Sequence, residues 1–215
     1  FRFITHVVTH FQPHLDEYLA MLIFVRFGAF RAHFASSLVY QEIICPMFEN
    51  VEQQNPNWLI LGVGNGRFDD HGPRKEKSCS QLVCEFLGLE DNPRLYQVVK
   101  AVTLQDKQGG QSKNTFSFPR IINQMHRQGR LTREEIRTWV MTGLNAILDS
   151  EAQKVLEIQA EANGNERKFD QLFASHARSW FYLHIERIAE LIPGEQGKQW
   201  LATATVEAQF DIRHR

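Results

Sequence analysis

The chain has 215 residues, 43% of them hydrophobic and 23% charged, which suffices for one large domain or two small ones with a real core and excludes a disordered chain. A formal net charge of -1 excludes the global basic field that grips long nucleic acids, but not a short or locally held anionic substrate. The three cysteines, Cys45, Cys79 and Cys84, form no disulfide framework and read as buried reduced thiols of a cytoplasmic protein.

In chain order, "RFITHVV" is rich in β-branched residues and predicts a strand. "HLDEYLAMLIFVRFG" follows, with Leu15, Leu19, Leu22 and Ile23 at helical spacing and Gly28 as a stop; it predicts a helix buried on most sides. Its apolar run, "YLAMLIFV", is too short to span a bilayer, so no membrane partner and no signal peptide are expected. Residues 31–57 give no clear periodicity, and Cys45-Pro46 breaks whatever precedes it. "NWLILGVGNG" predicts a short buried strand leaving through Gly-Asn-Gly.

From there the chain turns helical. Ser78 and Gln81 fit a capping box before a helix closed by Gly88, and "NPRLYQVVKAVTLQD" predicts another with Pro93 in its first turn. Thr132 and Glu135 form a second box, opening the long helix that runs to Asn163. A last helix is expected from Lys168 to Pro193 and Gly194, then a strand in "KQWLATATVEAQF". The fold class expected is α/β, mainly parallel sheet with flanking helices in the N-terminal half and mostly helical in the C-terminal half. The expected division is an α/β region over 1–110 and a mainly helical region over 111–215, packed on it or continuous with it. The aromatics around Trp180 read as core or as a subunit interface, so a homo-oligomer is allowed.

Two clusters follow the predicted strands. "VTHFQPHLDE" supplies His10, His14, Asp16 and Glu17 on a strand-to-helix turn, where imidazole nitrogens and carboxylates can converge on a first-row divalent cation. "GRFDDHG" supplies Asp69, Asp70 and His71. Asp106 ends the helix in "VVKAVTLQDKQGG". Taken singly, each has a bland reading: surface histidines, acids that favour a helix N-terminus, an acidic turn, a solvated helix end.

In this order the stretches resemble the DHH phosphoesterase superfamily, nearest its Myg exonuclease branch, over roughly residues 3–110. "THFQPHLDE" is similar to that branch's Thr-His-x-x-x-His-x-Asp-Glu. "LGVGNGRFDDHG" is similar to Val-Asp-Val-Gly followed by Arg-(Phe/Tyr)-Asp-His-His-Gln, and "AVTLQDKQGG" to a helix ending Ala-Ile-Asp-Asn-Gly. Two departures stand out: Gly62 takes the place of a metal-binding aspartate, and Asp70 that of the central histidine. The second exchange keeps a ligand; the first deletes one, and Asp69 is the candidate to compensate.

The resemblance implies a metal-dependent phosphoesterase hydrolysing a phosphodiester in a nucleotide or short oligonucleotide. It implies His10, His14, Asp16, Asp70 and Asp106 as ligands of a divalent ion, Mn²⁺ first, with Zn²⁺, Fe²⁺ and Mg²⁺ as alternatives. Asp70 and His71 are the expected catalytic residues, His71 meeting the phosphate or protonating the leaving group. Glu17 and Asp69 are expected to stand behind the ligands, Glu17 orienting a histidine. From Lys107 to Arg133 there are six basic residues and no acid, and Lys107, Lys113 and Arg120, with Arg74, are expected on the substrate; the alternative is a solvated basic surface. The second functional reading is a catalytically degenerate DHH-like domain that binds or regulates, motivated by Gly62 and Asp70.

Overall fold

The computed structural model describes residues 2–44, 50–72, 76–107 and 117–181. The protein is α/β: a three-stranded parallel sheet in the N-terminal half and helices thereafter. Strand β1 (Arg2–His10) is central, between β2 (Ala32–Ile43) and β3 (Trp58–Leu61), in the order β2-β1-β3. His10 pairs with Ile43 and Thr9 with Leu61, so the three strands end at one edge of the sheet. A parallel sheet is covered on both faces, and alternation along β1 shows it. Val7 faces the main core with Leu59 and Leu61, whereas Val8 faces a smaller cluster with Val51, Ile60 and Val63.

Helix α1 (Leu15–Phe27) supplies the crossover from β1 to β2 and is buried continuously from Leu15 to Phe24. Its lack of a polar face follows from its place: it packs on the sheet and against helices α3 (Cys79–Leu87) and α4 (Pro93–Lys107). Side chains such as Leu19, Ile23 and Phe24 each contribute about 1.5–3 kcal/mol by leaving water. The strand β2, where the sequence offered no periodicity, carries mixed exposure along its length because, among the described residues, it pairs only with β1. Helix α2 (Val51–Gln54) is one short turn before β3.

The caps read from sequence are in place. Ser78 accepts a hydrogen bond from the Gln81 N–H, and Gly88 closes α3 in the left-handed conformation at φ +67°. Thr132 and Glu135 bond reciprocally through backbone and side chain at the start of α6 (Arg133–Ala162). Helix α5 (Phe118–Gln128) lies inside the basic stretch from Lys107 to Arg133. Phe118, Ile121, Ile122 and Met125 recur at helical spacing along it, Ile122 being fully buried, so the helix is legible in the sequence beneath the basic residues. Helix α7 (Glu166–Phe181) follows a turn through Asn163 and Gly164, both at positive φ.

The chain forms two compact units, the first ending at Asp149 and the second beginning at Ser150 among the residues from α6 onward. In the second unit, Val155, Ile158, Ala162 and Ala174 are buried, and His176 meets Glu151 at 3.0 Å. Among the described residues, no helix is long and apolar enough to cross a membrane. Cys79 and Cys84 are free and buried, and burial pushes the Cys84 thiol up to about 12. Cys45, the expected C-terminal strand, and the expected helix end at Pro193 and Gly194 lie outside the described residues.

Candidate metal centre

The candidate residues of the first unit gather at the edge where the strands end, the position from which open α/β sheets present ligand-binding groups. Three segments reach it. The first is the β1–α1 turn. His10 is the last residue of β1, Gln12 turns the chain at φ +57°, and His14 caps α1, leaving Asp16 and Glu17 in the first helical turn. The His14 N–H donates to Glu17 Oε2 at 2.8 Å, which satisfies one of the donors a helix N-terminus exposes.

His10 and Glu17 meet directly, Nε2 to Oε1 at 3.1 Å, and the His10 and His14 rings stand 4.8 Å apart. The other His10 nitrogen donates to the Phe11 carbonyl at 2.9 Å, an arrangement that leaves Nε2 as the site-facing atom. Burial disfavours the His10 charge, but the Glu17 carboxylate more than reverses it and carries the imidazole up to about 9. Glu17 in turn is lowered, burial being outweighed by the two histidines.

Asp16 is almost fully buried and points the other way round the helix end. It accepts from the N–H groups of Cys79 at 2.6 Å and Ser80 at 3.0 Å, and from the Ser80 hydroxyl. These donors open α3, so Asp16 ties the start of α1 to the start of α3. Burial raises its pKa to about 8, with Glu17 and Asp106 adding to the effect against the Ser80 donors.

The second segment is the loop after β3. Asp69 is committed to that loop: its carboxylate accepts from Asn65 N–H at 2.6 Å and holds His71 through its backbone N–H at 3.0 Å and Nδ1 at 2.7 Å. Asp69 therefore does not replace the side chain missing at Gly62. Glu17 does occupy that space. A Cβ built on Gly62 would stand 2.5 Å from Glu17 Oε1 and 2.8 Å from its Cγ, so the bare backbone is what admits the glutamate. Asp70 is buried, with Oδ2 3.3 Å from Lys107 Nζ; its Oδ1 is buried without a hydrogen-bond partner.

The third segment is the end of α4. Asp106 projects there, its Oδ2 3.2 Å from the same Lys107 ammonium, and burial together with Asp70 raises its pKa. One carboxylate oxygen each from Asp16, Asp70 and Asp106 lies within 4.8 Å of the other two. Donor atoms of His10, His14 and Glu17 form a second such group, and those of Asp69, Asp70 and His71 a third. A cavity of about 210 Å³ opens beside these residues, lined by His14, Asp16, Gln105, Asp106, Pro119 and Asn123 among others.

Comparison with family models, with curated proteins and with solved structures gives no match to this chain. The site therefore rests on its own geometry.

That geometry fits a divalent ion. The donors are neutral-capable imidazole nitrogen and carboxylate oxygen, the mixture that first-row divalent metals accept. A buried Asp70 oxygen without a partner is costly unless something cationic completes it. Neighbouring ligands on one ion at about 2.1 Å sit roughly 3 Å apart, close to the 3.1 Å between His10 Nε2 and Glu17 Oε1.

Of the residues expected on the substrate, Lys107 is held by Asp70 and Asp106. Arg120 is part-buried in the first turn of α5, next to cavity-lining Pro119. Arg74 and Lys113 lie outside the described residues.

Two further residues, His126 and Glu42, support the turn. His126 donates through Nε2 to the Pro13 carbonyl at 3.2 Å, and its Nδ1 accepts from Arg133 at 2.6 Å. Glu42 accepts from Gln12 N–H at 3.0 Å and pairs with Arg133 at 3.4 Å. Burial and the Arg133 charge lower the His126 pKa, as suits a neutral imidazole relaying one hydrogen bond to the next. This relay buttresses the β1–α1 turn from behind. No local pattern signals it, because His126 and Pro13 are separated by 113 positions.

Proposed function

We propose that this protein is a divalent-metal-dependent phosphoesterase that hydrolyses a phosphodiester in a nucleotide or short oligonucleotide. One observation carries the reading: carboxylates of Asp16, Asp70 and Asp106, from three separate segments, come within 4.8 Å of one another, with an unpartnered buried oxygen on Asp70. Lys107 offsets only one of these charges, which supports a further cation at the site.

His10, His14 and Glu17 on one side and Asp16, Asp70 and Asp106 on the other would hold the metal, a divalent ion such as Mn²⁺, Fe²⁺ or Zn²⁺ suiting these mixed nitrogen and oxygen donors. Bound there, a divalent ion supplies Lewis-acid polarisation of a phosphoryl oxygen and a nucleophilic water near neutral pH. The protein's own residues do the rest. Asp69 accepts from Nδ1 of His71 and so fixes its tautomer, leaving Nε2 to exchange a proton with the leaving oxygen. His71 is exposed and lies at the rim, 3.9 Å from Asp70 Oδ1, where a substrate phosphate has access. The 210 Å³ cavity, partly apolar through Leu15, Val102 and Pro119, offers a place for the group attached to that phosphate.

The test is direct. Protein stripped with chelator and reloaded with Mn²⁺ should hydrolyse bis(p-nitrophenyl) phosphate or a short RNA, and His71→Ala should lower turnover about 10²–10⁴-fold. A second reading, a binding or regulatory module without turnover, is favoured by the Lys107 ammonium seated on Asp70 and Asp106. It requires that His71→Ala leave function unchanged and that no metal restore hydrolysis.

A further inference from the structure

Resting on the metal reading above, we infer that this site takes a single divalent ion, on its histidine side, and that Lys107 is a built-in second cation. The site has two chemically different halves. His10, His14 and Glu17 offer two nitrogens and an oxygen, whereas Asp16, Asp70 and Asp106 offer oxygen alone. In the second half a cation is already bound. Lys107 Nζ lies 3.3 Å from Asp70 Oδ2 and 3.2 Å from Asp106 Oδ2, bridging the two carboxylates.

Three features make that ammonium a resident. Lys107 directly follows Asp106 at the end of α4, so its charge is delivered by the same helix end that delivers the carboxylate. Its side chain is only 28% exposed, part of its stem being covered. Asp16, the third acid of that half, already spends both oxygens on the N-terminus of α3 and has little left for a second ion.

Asp70 lies in the acid half, and its charge is felt at His10 in the other. Its Oδ2 is on Lys107, while Oδ1 is buried, without a hydrogen-bond partner and 3.9 Å from His71 Nδ1. On that histidine side the space next to Gly62 is filled by Glu17, whose carboxylate already meets His10. A lysine ammonium carries three donors; two reach Asp70 and Asp106, and the third remains for a non-bridging phosphate oxygen. Two positive centres flanking a phosphoryl group are what a pair of ions provides, and here one of them is a side chain.

The experiment is a count of Mn²⁺ bound by the full chain at saturation, by elemental analysis after gel filtration, for the native protein, Lys107→Met and Lys107→Arg. The native protein and Lys107→Arg should each take one equivalent. Lys107→Met, its carboxylates no longer neutralised, should take two, and Mn²⁺-loaded Lys107→Met holding one ion by substoichiometric loading should bind inorganic phosphate about tenfold more weakly than the native protein. Two equivalents in the native protein would overturn the inference while leaving the metal site standing. One equivalent in Lys107→Met with native circular dichroism would also overturn it. No Mn²⁺ in the native protein would remove the metal reading itself, an outcome distinct from either.

Discussion

At position 62 the backbone is in the left-handed region, φ +65°, and Glu17 Oε1 lies where a Cβ would point. Both facts demand glycine, one from backbone sterics and one from space. Gly62→Ala should therefore destabilise the protein by about 1–3 kcal/mol, read as a lower denaturation midpoint. Gly62→Asp should not simply add a ligand, since its side chain must first displace Glu17. Glu17→Gln, which keeps shape and removes charge, should weaken Mn²⁺ binding by tenfold or more in a calorimetric titration, on the order of 1.4 kcal/mol. An unchanged affinity would return Glu17 to a purely structural role at the start of α1. His126→Ala should cost about 1–3 kcal/mol, because the Pro13 carbonyl and the Arg133 donor would both lose a buried partner.

Among the elements, the start of α1 bears the most. Its first turn holds Asp16 against the start of α3 and Glu17 against His10, so one turn of helix sets two halves of the site. Charge at this turn should make stability depend on pH. The His10 pKa is raised from 6.5 to about 9 in the folded chain, so its contribution is complete below pH 6.5 and is lost as pH rises through 9. Asp16, raised from 3.8 to about 8, acts in the same direction: the folded state loses stability as pH climbs from 3.8 through 8. Chelator-treated protein should therefore melt at progressively lower temperature between pH 6.5 and 9. Adding Mn²⁺ should flatten that decline, because the ion takes over from the protons. A melting temperature that rises over this range would contradict the arrangement of charges at this turn.

Across the first unit as a whole, the site exists because parallel strands deliver their ends to one edge and α4 returns to it. Substituting residues of one half should then give one phenotype. His10→Ala and His14→Ala should each reduce bound Mn²⁺, and the double variant should lose less than the sum of the two, as expected for groups sharing one site. Strictly additive losses would mean two unconnected sites.

Much of this was legible in the chain itself. The strand-to-helix turn at His10–Glu17, the strand ending in glycines, the Ser78 cap and the Thr132–Glu135 box all rest on local rules of periodicity and capping, which need no partner from elsewhere. The acids and histidines of the candidate site were visible by type and order for the same reason. Strand β2 was not, since its exposure pattern is mixed, whereas helix α5 is written in Phe118, Ile121, Ile122 and Met125 at helical spacing. Which groups meet was beyond the sequence as well. That Glu17 fills the space at Gly62, that Asp69 serves its own loop, that Lys107 bridges Asp70 and Asp106, and that His126 braces Pro13 are facts of through-space contact. Local sequence determines what each segment offers, because helix and strand follow from near neighbours. Only the packed sheet and helices decide which offered groups come within a few ångströms, and electrostatic and hydrogen-bond energies are settled over that distance.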